Sequence, residues 1–117
     1  MGTVALQKLK AFANPAPAGF VLTQQELDGI LPAAHDGLLE DEGFAETILQ
    51  LAGSDEVASK ILAALEAELD RRAKLLVGRT YPTRDDAAEA VYAERQAIKT
   101  AVSTQGWTYL ATLGVTR

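Results

Sequence analysis

The sequence predicts an all-α protein, on three observations. The composition suits helices: 48% of the residues are hydrophobic, 21 of the 117 are alanine, the large aliphatics are mainly leucine, and β-branched residues are few. Ser54 to Gly78 carries apolar residues at spacings of three and four along its whole length. Helix start and stop signals bracket that stretch and recur on either side of it. Together these predict a long antiparallel helical hairpin with two or three short helices packed on it and an extended N-terminal arm. Residues 1–22 read as the arm and 23–117 as a single helical domain.

In the arm, Val4 to Ala13 can form a short amphipathic helix, with Leu6, Leu9 and Phe12 on one side and Lys8 and Lys10 beside them. Asn14-Pro15-Ala16-Pro17-Ala18-Gly19 stops it, because each proline pushes its neighbour towards extended backbone. Phe20, Val21 and Leu22 follow. Taken alone such a terminus is expected to be mobile, and to be held down by its own domain, a crystal neighbour or a biological partner such as a sister subunit. Leu6, Leu9, Phe12 and Phe20 are its expected contact residues.

Thr23-x-x-Glu26 is a capping box, and Leu22 and Leu27 occupy the two positions of a hydrophobic staple. Leu27, Ile30 and Leu31 give the helix that follows a short inward face, and Pro32 is expected to end it or to begin a second short one. His35-Asp36-Gly37 reads as a loop, and the acidic run continues to Glu42. A helix is expected from about Phe44 to Ala52, with Phe44, Ile48, Leu49 and Leu51 apolar and Gly53 as its stop.

Ser54 caps the long helix, and Asp55 and Glu56 suit the positive end of its dipole. Val57, Ala58, Ile61, Leu62, Leu65, Leu69, Ala73 and Leu76 form the stripe. Arg71, Arg72 and Lys74 suit the negative end, with Gly78 and Pro82 as terminators. A helix of that length spans about 36 Å and reads as the spine of the domain. After the Arg79-Thr80-Tyr81-Pro82 turn, Thr83 caps a helix to about Ser103 that shows Ala88, Val91, Tyr92, Arg95, Ile98 and Val102 on one face. Gly106 breaks it. Trp107, Leu110 and Leu113 then form a last turn or two, with Trp107 plugging the end of the hairpin and Tyr109 pointing towards a neighbour.

The net charge of −5 is unevenly laid out. Glu26 to Asp70 holds twelve acids and one base, Lys60, whereas Arg71 to Arg84 holds five bases and no acid. An acidic and a basic patch on one subunit favour head-to-tail contact, with Arg71, Arg72, Arg79 and Arg84 meeting Glu40, Asp41 and Glu42 of a neighbour. Association of that kind weakens as salt shortens the Debye length.

Chemistry-bearing patterns are few. There is no cysteine, hence no disulfide framework or thiolate metal site. The lone His35 lacks further ligands at useful spacing, and the acidic run fails the calcium-loop pattern, with Leu38 at its third position. No phosphate loop, HExxH or GxSxG occurs. The expectation is a non-enzymatic protein with no catalytic, cofactor-binding or metal-binding residues. An acidic chain without a helix-turn-helix signature is not expected to read DNA sequence. No apolar run approaches the ~20 residues that cross a bilayer. Lys8 and Lys10 interrupt the only signal-like stretch, and Leu6 spoils a myristoylation motif. The protein is expected to be soluble and not bound to membranes.

Leu22-Thr23-x-x-Glu26-Leu27, an acidic loop, and a long helix ending in Gly78-Arg79-Thr80-Tyr81-Pro82 resemble the small helical head–tail connector (adaptor) proteins of tailed bacteriophages. The Ser103-Thr104-Gln105-Gly106-Trp107 ending is similar to segments of small accessory virion proteins. The resemblance implies a non-enzymatic ring subunit docked on a portal, with a channel for DNA and an extended terminus that binds sister subunits. It also implies residence in the host cytoplasm during assembly and then in the virion; otherwise a cytoplasmic protein is expected. The alternative expectation is a small regulatory binding module, an inhibitor or adaptor acting on one partner protein.

Overall fold

The computed structural model of the protein describes residues 19–117, so the expectations for Leu6, Leu9 and Phe12 lie outside the described residues. Among the described residues the elements are β1 (Phe20–Val21), α1 (Gln24–Glu40), α2 (Glu42–Ala52), α3 (Asp55–Lys74), β2 (Thr80–Tyr81), α4 (Arg84–Gln105) and α5 (Trp107–Thr112). The fold is all-α apart from one antiparallel ribbon that pairs Phe20 with Tyr81 and Val21 with Thr80.

Each long helix starts at the cap its sequence carries. Thr23, Ser54 and Thr83 are extended at the N-cap, and their hydroxyls accept from Glu26 N, Val57 N and Asp86 N at 3.1, 3.2 and 3.2 Å. The staple residues Leu22 and Leu27 are both buried. The reciprocal arm of the capping box is replaced by a tertiary contact, in which the Glu26 carboxylate accepts from Arg84 Nε at 3.4 Å.

The core is one hydrophobic cluster that draws on all five helices. Ile61, Leu65, Leu69 and Ala73 of α3 are each at 0% exposure, opposed by Leu27, Ile30, Ala34 and Leu38 of α1 and by Val91, Ile98 and Val102 of α4. Full burial of each leucine or isoleucine contributes about 1.5–3 kcal/mol. α3 contacts α1, α2 and α4, and α1 also lies against α4.

Four expectations are corrected. α1 neither ends nor restarts at Pro32; it runs through it to Glu40. An interior proline costs about 3 kcal/mol. The stripe Leu27, Ile30, Ala34, Leu38 continues unbroken across it, and burying Leu38 alone contributes about 1.5–3 kcal/mol. His35, Asp36 and Gly37 are therefore helical rather than a loop. The acidic loop shrinks to Asp41, which joins α1 to α2 and caps α2 by accepting from Phe44 N at 3.2 Å. α3 ends at Lys74 rather than near Gly78, and spans about 30 Å rather than 36 Å. Residues 75–77 tighten into i→i−3 hydrogen bonds. Gly78, at φ +94°, then donates to Leu22 O at 2.8 Å, and Leu22 N donates to Arg79 O at 2.9 Å. Phe20 and Val21 are a strand, and Leu22 is at 0% exposure.

Gly37 has a specific reason to lack a side chain. A Cβ there would collide with Arg95 Nη1, the atom that donates to Ala34 O at 3.3 Å and Ala33 O at 3.4 Å. Arg95 also lies over the Tyr92 ring at 4.8 Å.

Two stability measurements follow. Leu65→Ala should cost about 2–5 kcal/mol in urea unfolding; a loss under about 1 kcal/mol would contradict the central place of α3. Gly37→Ala should stabilise an Arg95→Ala background by about 0.5–1 kcal/mol through helix propensity, and do markedly less in the native background. Additive effects in the double-mutant cycle would show that Arg95 does not occupy the space above Gly37.

Candidate functional site

Two very short connections shape an open groove between α1, α2 and α3. One residue, Asp41, separates α1 from α2, and two, Gly53 and Ser54, separate α2 from α3. Gly53 sits at φ +75° and donates to Leu49 O at 3.0 Å, the turn that its lack of a Cβ permits. With both ends tied, α2 buries Phe44 and Ile48. Leu49, the next residue round the helix, stays 49% exposed, and Leu39 near the end of α1 stays 46% exposed.

These two leucines edge an open groove of about 380 Å³, with Ala45, Ile48, Ala58 and Leu62 also lining it. A second hollow of about 370 Å³ meets the first at Leu39 and Leu62 and is walled by His35, Asp36, Glu40 and Glu66. Among the described residues, the combined lining holds the carboxylates of Asp36, Glu40, Asp55 and Glu66 and no lysine or arginine. The result is an apolar floor with an acidic rim.

His35 stiffens one wall. Its Nε2 lies 2.6 Å from Asp70 Oδ1, and its Nδ1 lies 3.9 Å from Glu66 Oε2, so the ring ties α1 to α3. The expected surface loop histidine is thus a helical cross-brace. Among the described residues no three metal-ligating side chains gather.

The basic stretch is largely engaged within the chain. Arg71 Nε and Nη2 donate to the two oxygens of Glu68 at 2.7 and 2.9 Å, and Arg72 Nε donates to Glu94 at 2.9 Å. Arg84 meets Glu26, and Asp41 meets Lys99 Nζ at 3.0 Å. The hydrogen bond from Lys99, then that from Phe44 N–H, holds the Asp41 carboxyl below the usual range. Three of the four expected interface arginines, and one of the three acids, therefore already have partners in their own chain. Arg79, Glu40 and Glu42 have no ion-pair partner among the described residues. Phe20 is half-buried in β1 and packs against the core.

Tyr109 points inward, contrary to the expectation. Its Oη is buried without a hydrogen-bond partner among the described residues. Burial pushes the phenol pKa up, the Glu68 carboxylate adds to that, and Arg72 opposes it. Trp107 is half-buried and donates from Nε1 to Leu51 O at 2.9 Å, tying α5 to the end of α2.

Sequence reasoning named Glu40, Leu49, Ala58 and Leu62 but did not bring them together, and it missed Leu39. The available signal was the α1 stripe. Once it is carried through Pro32 to Leu38, Leu39 falls beside it as an apolar residue off the buried face.

No protein-family model, curated protein or solved structure matches this chain. No helix among the described residues is long and apolar enough to cross a membrane.

The Glu68 carboxyl is held below its ordinary value, first by the Arg71 hydrogen bond and then by the charges of Arg71 and Arg72, against burial. The folded state therefore binds fewer protons than the unfolded chain as pH falls through the carboxylate range. The stabilisation is complete above the unfolded value and is lost through the lower folded one. Between about pH 6 and about pH 3 the native protein should lose more Tm than Glu68→Gln; equal losses would remove Glu68 from the acid response.

Proposed function

We propose that the protein is a non-enzymatic structural subunit of a larger protein assembly, a homo-oligomer whose copies also meet other assembly proteins. The observation that carries this reading is the acid-rimmed apolar groove between α1, α2 and α3. Leu39 and Leu49 are large apolar side chains left about half exposed on helices that are otherwise well buried on their inner faces. Exposed apolar side chains inside a polar rim mark protein-binding surfaces where the patch they form is large. The groove is open to solvent, and the His35–Asp70 pair beside it braces α1 against α3. In this reading α3 and α4 form an antiparallel hairpin that serves as the rigid frame, and the particle is a tailed-phage virion with the protein as head–tail connector or accessory component. What supports that assignment is the sequence resemblance of Leu22-Thr23-x-x-Glu26-Leu27 and Gly78-Arg79-Thr80-Tyr81-Pro82 to such connectors, and not the acidic loop, which is helical.

A second reading is favoured by one observation. With Arg71, Arg72 and Arg84 paired internally, the acidic groove is the dominant recognition feature, and a single basic partner would suffice to fill it. That describes a regulatory binding module.

Light scattering after size exclusion separates the two. The assembly reading expects a uniform oligomer at low salt that shifts towards monomer at high salt, because rim contacts are screened. A monomer at both salts favours the single-partner module.

A further inference from the structure

We propose that the groove is the seat for residues Val4–Ala13 of a second copy of this chain, so that subunits are joined by exchange of their N-terminal segments. This rests on the assembly reading and names the contact that would produce it.

The match is chemical. The groove offers a floor of Leu39, Leu49 and Leu62 and a rim of carboxylates. Val4–Ala13 carries Leu6, Leu9 and Phe12 at spacings of three, so a helix there presents them along one side. Lys8 and Lys10 flank that side, and the segment contains no acid. An apolar ridge with basic shoulders is the complement of an apolar floor with acidic walls, and a helix laid in a groove is a common way to join them. Elsewhere the chain offers no comparable occupant: the later lysines and arginines lie among acids, on helices already committed to the core.

Reach favours the second copy over the segment's own groove. The chain enters the fold at Phe20, paired with Tyr81 beyond the C-terminal end of α3, whereas the groove lies along the N-terminal half of α3, from Asp55 to Glu66. From Lys74 back to Leu62 the helix alone rises about 18 Å, and to Asp55 about 28 Å. The proline-rich linker from Ala13 to Gly19 covers about 19 Å when extended. A chain would have to spend its whole linker along one straight path to bring Ala13 level with Leu62, the near end of its own apolar floor. A neighbour is under no such restriction, and two copies can exchange segments reciprocally.

The test uses full-length chains carrying either Leu9→Asp, which spoils the segment, or Leu49→Asp, which spoils the groove. Leu49 is half exposed, so the aspartate does not enter the core; circular dichroism and melting confirm that each variant is folded. The expected result is that the native chain self-associates, each variant alone loses association by about tenfold or more, and an equimolar mixture forms a one-to-one complex. In that mixture the intact segment of one variant fills the intact groove of the other. If the native chain and both variants associate alike, the assembly reading stands and the exchange is overturned. If only Leu49→Asp weakens association, the groove meets a different surface of the second copy, and the exchange is again overturned. If only Leu9→Asp weakens it, the segment binds outside the groove, which overturns the exchange as well. If the native chain is a monomer and the mixture still pairs, each segment occupies its own groove, and exchange between native copies is overturned. If the native chain is a monomer and the mixture does not pair, both the exchange and intrinsic self-assembly fail.

Discussion

Four side chains of α3, Ile61, Leu65, Leu69 and Ala73, are wholly removed from water, and the rest of the molecule is arranged to keep them so. α1 and α4 cover the stripe with branched and leucine side chains, and α2 and α5 close the remaining gaps. Only a helix can present this row along one side, since its members recur every four residues. The acidic first turn, the basic last turn and the Ser54 cap support that helix locally, so propensity, capping and burial agree in one element.

The demand for cover explains why α1 crosses Pro32. Stopping there would leave Ala34 and Leu38 unpacked and the stripe exposed. The lost N–H is the smaller cost. The groove is a by-product of the same geometry. The one-residue and two-residue connections hold α2 close to α1 and α3, but α2 is only eleven residues long and buries a single narrow face. Leu39 and Leu49 are what a short helix between two longer ones cannot cover.

Features specified locally were legible in the sequence. The caps at Thr23, Ser54 and Thr83, the stop at Gly53, and the inward faces of α3 and α4 were all visible, because each is a pattern within a few residues. Features decided by tertiary contact were not. A proline reads as a breaker until the stripe beyond it is known to be buried. His35 reads as a loop residue until Asp70, thirty-five positions later, is placed beside it. Arg72 and Arg84 looked free because their partners, Glu94 and Glu26, come from helices on either side of the basic stretch; Arg71 is held by Glu68 three residues back in the same helix, a local pair the spacing already offered. The groove was invisible as a unit for the same reason: its residues come from three helices.

The double hydrogen bond between Leu22 and the Gly78–Arg79 turn has a mechanical meaning. Together with the two-residue ribbon it fixes the point where the N-terminal segment leaves the body, and it fixes it on the connection between the two longest helices. A pull on that segment is delivered to the turn between α3 and α4 rather than to the end of a fraying helix. The staple of Leu22 on Leu27 passes the load on into the core. Tension applied through Phe20 is therefore met first by the ribbon and the α3–α4 turn.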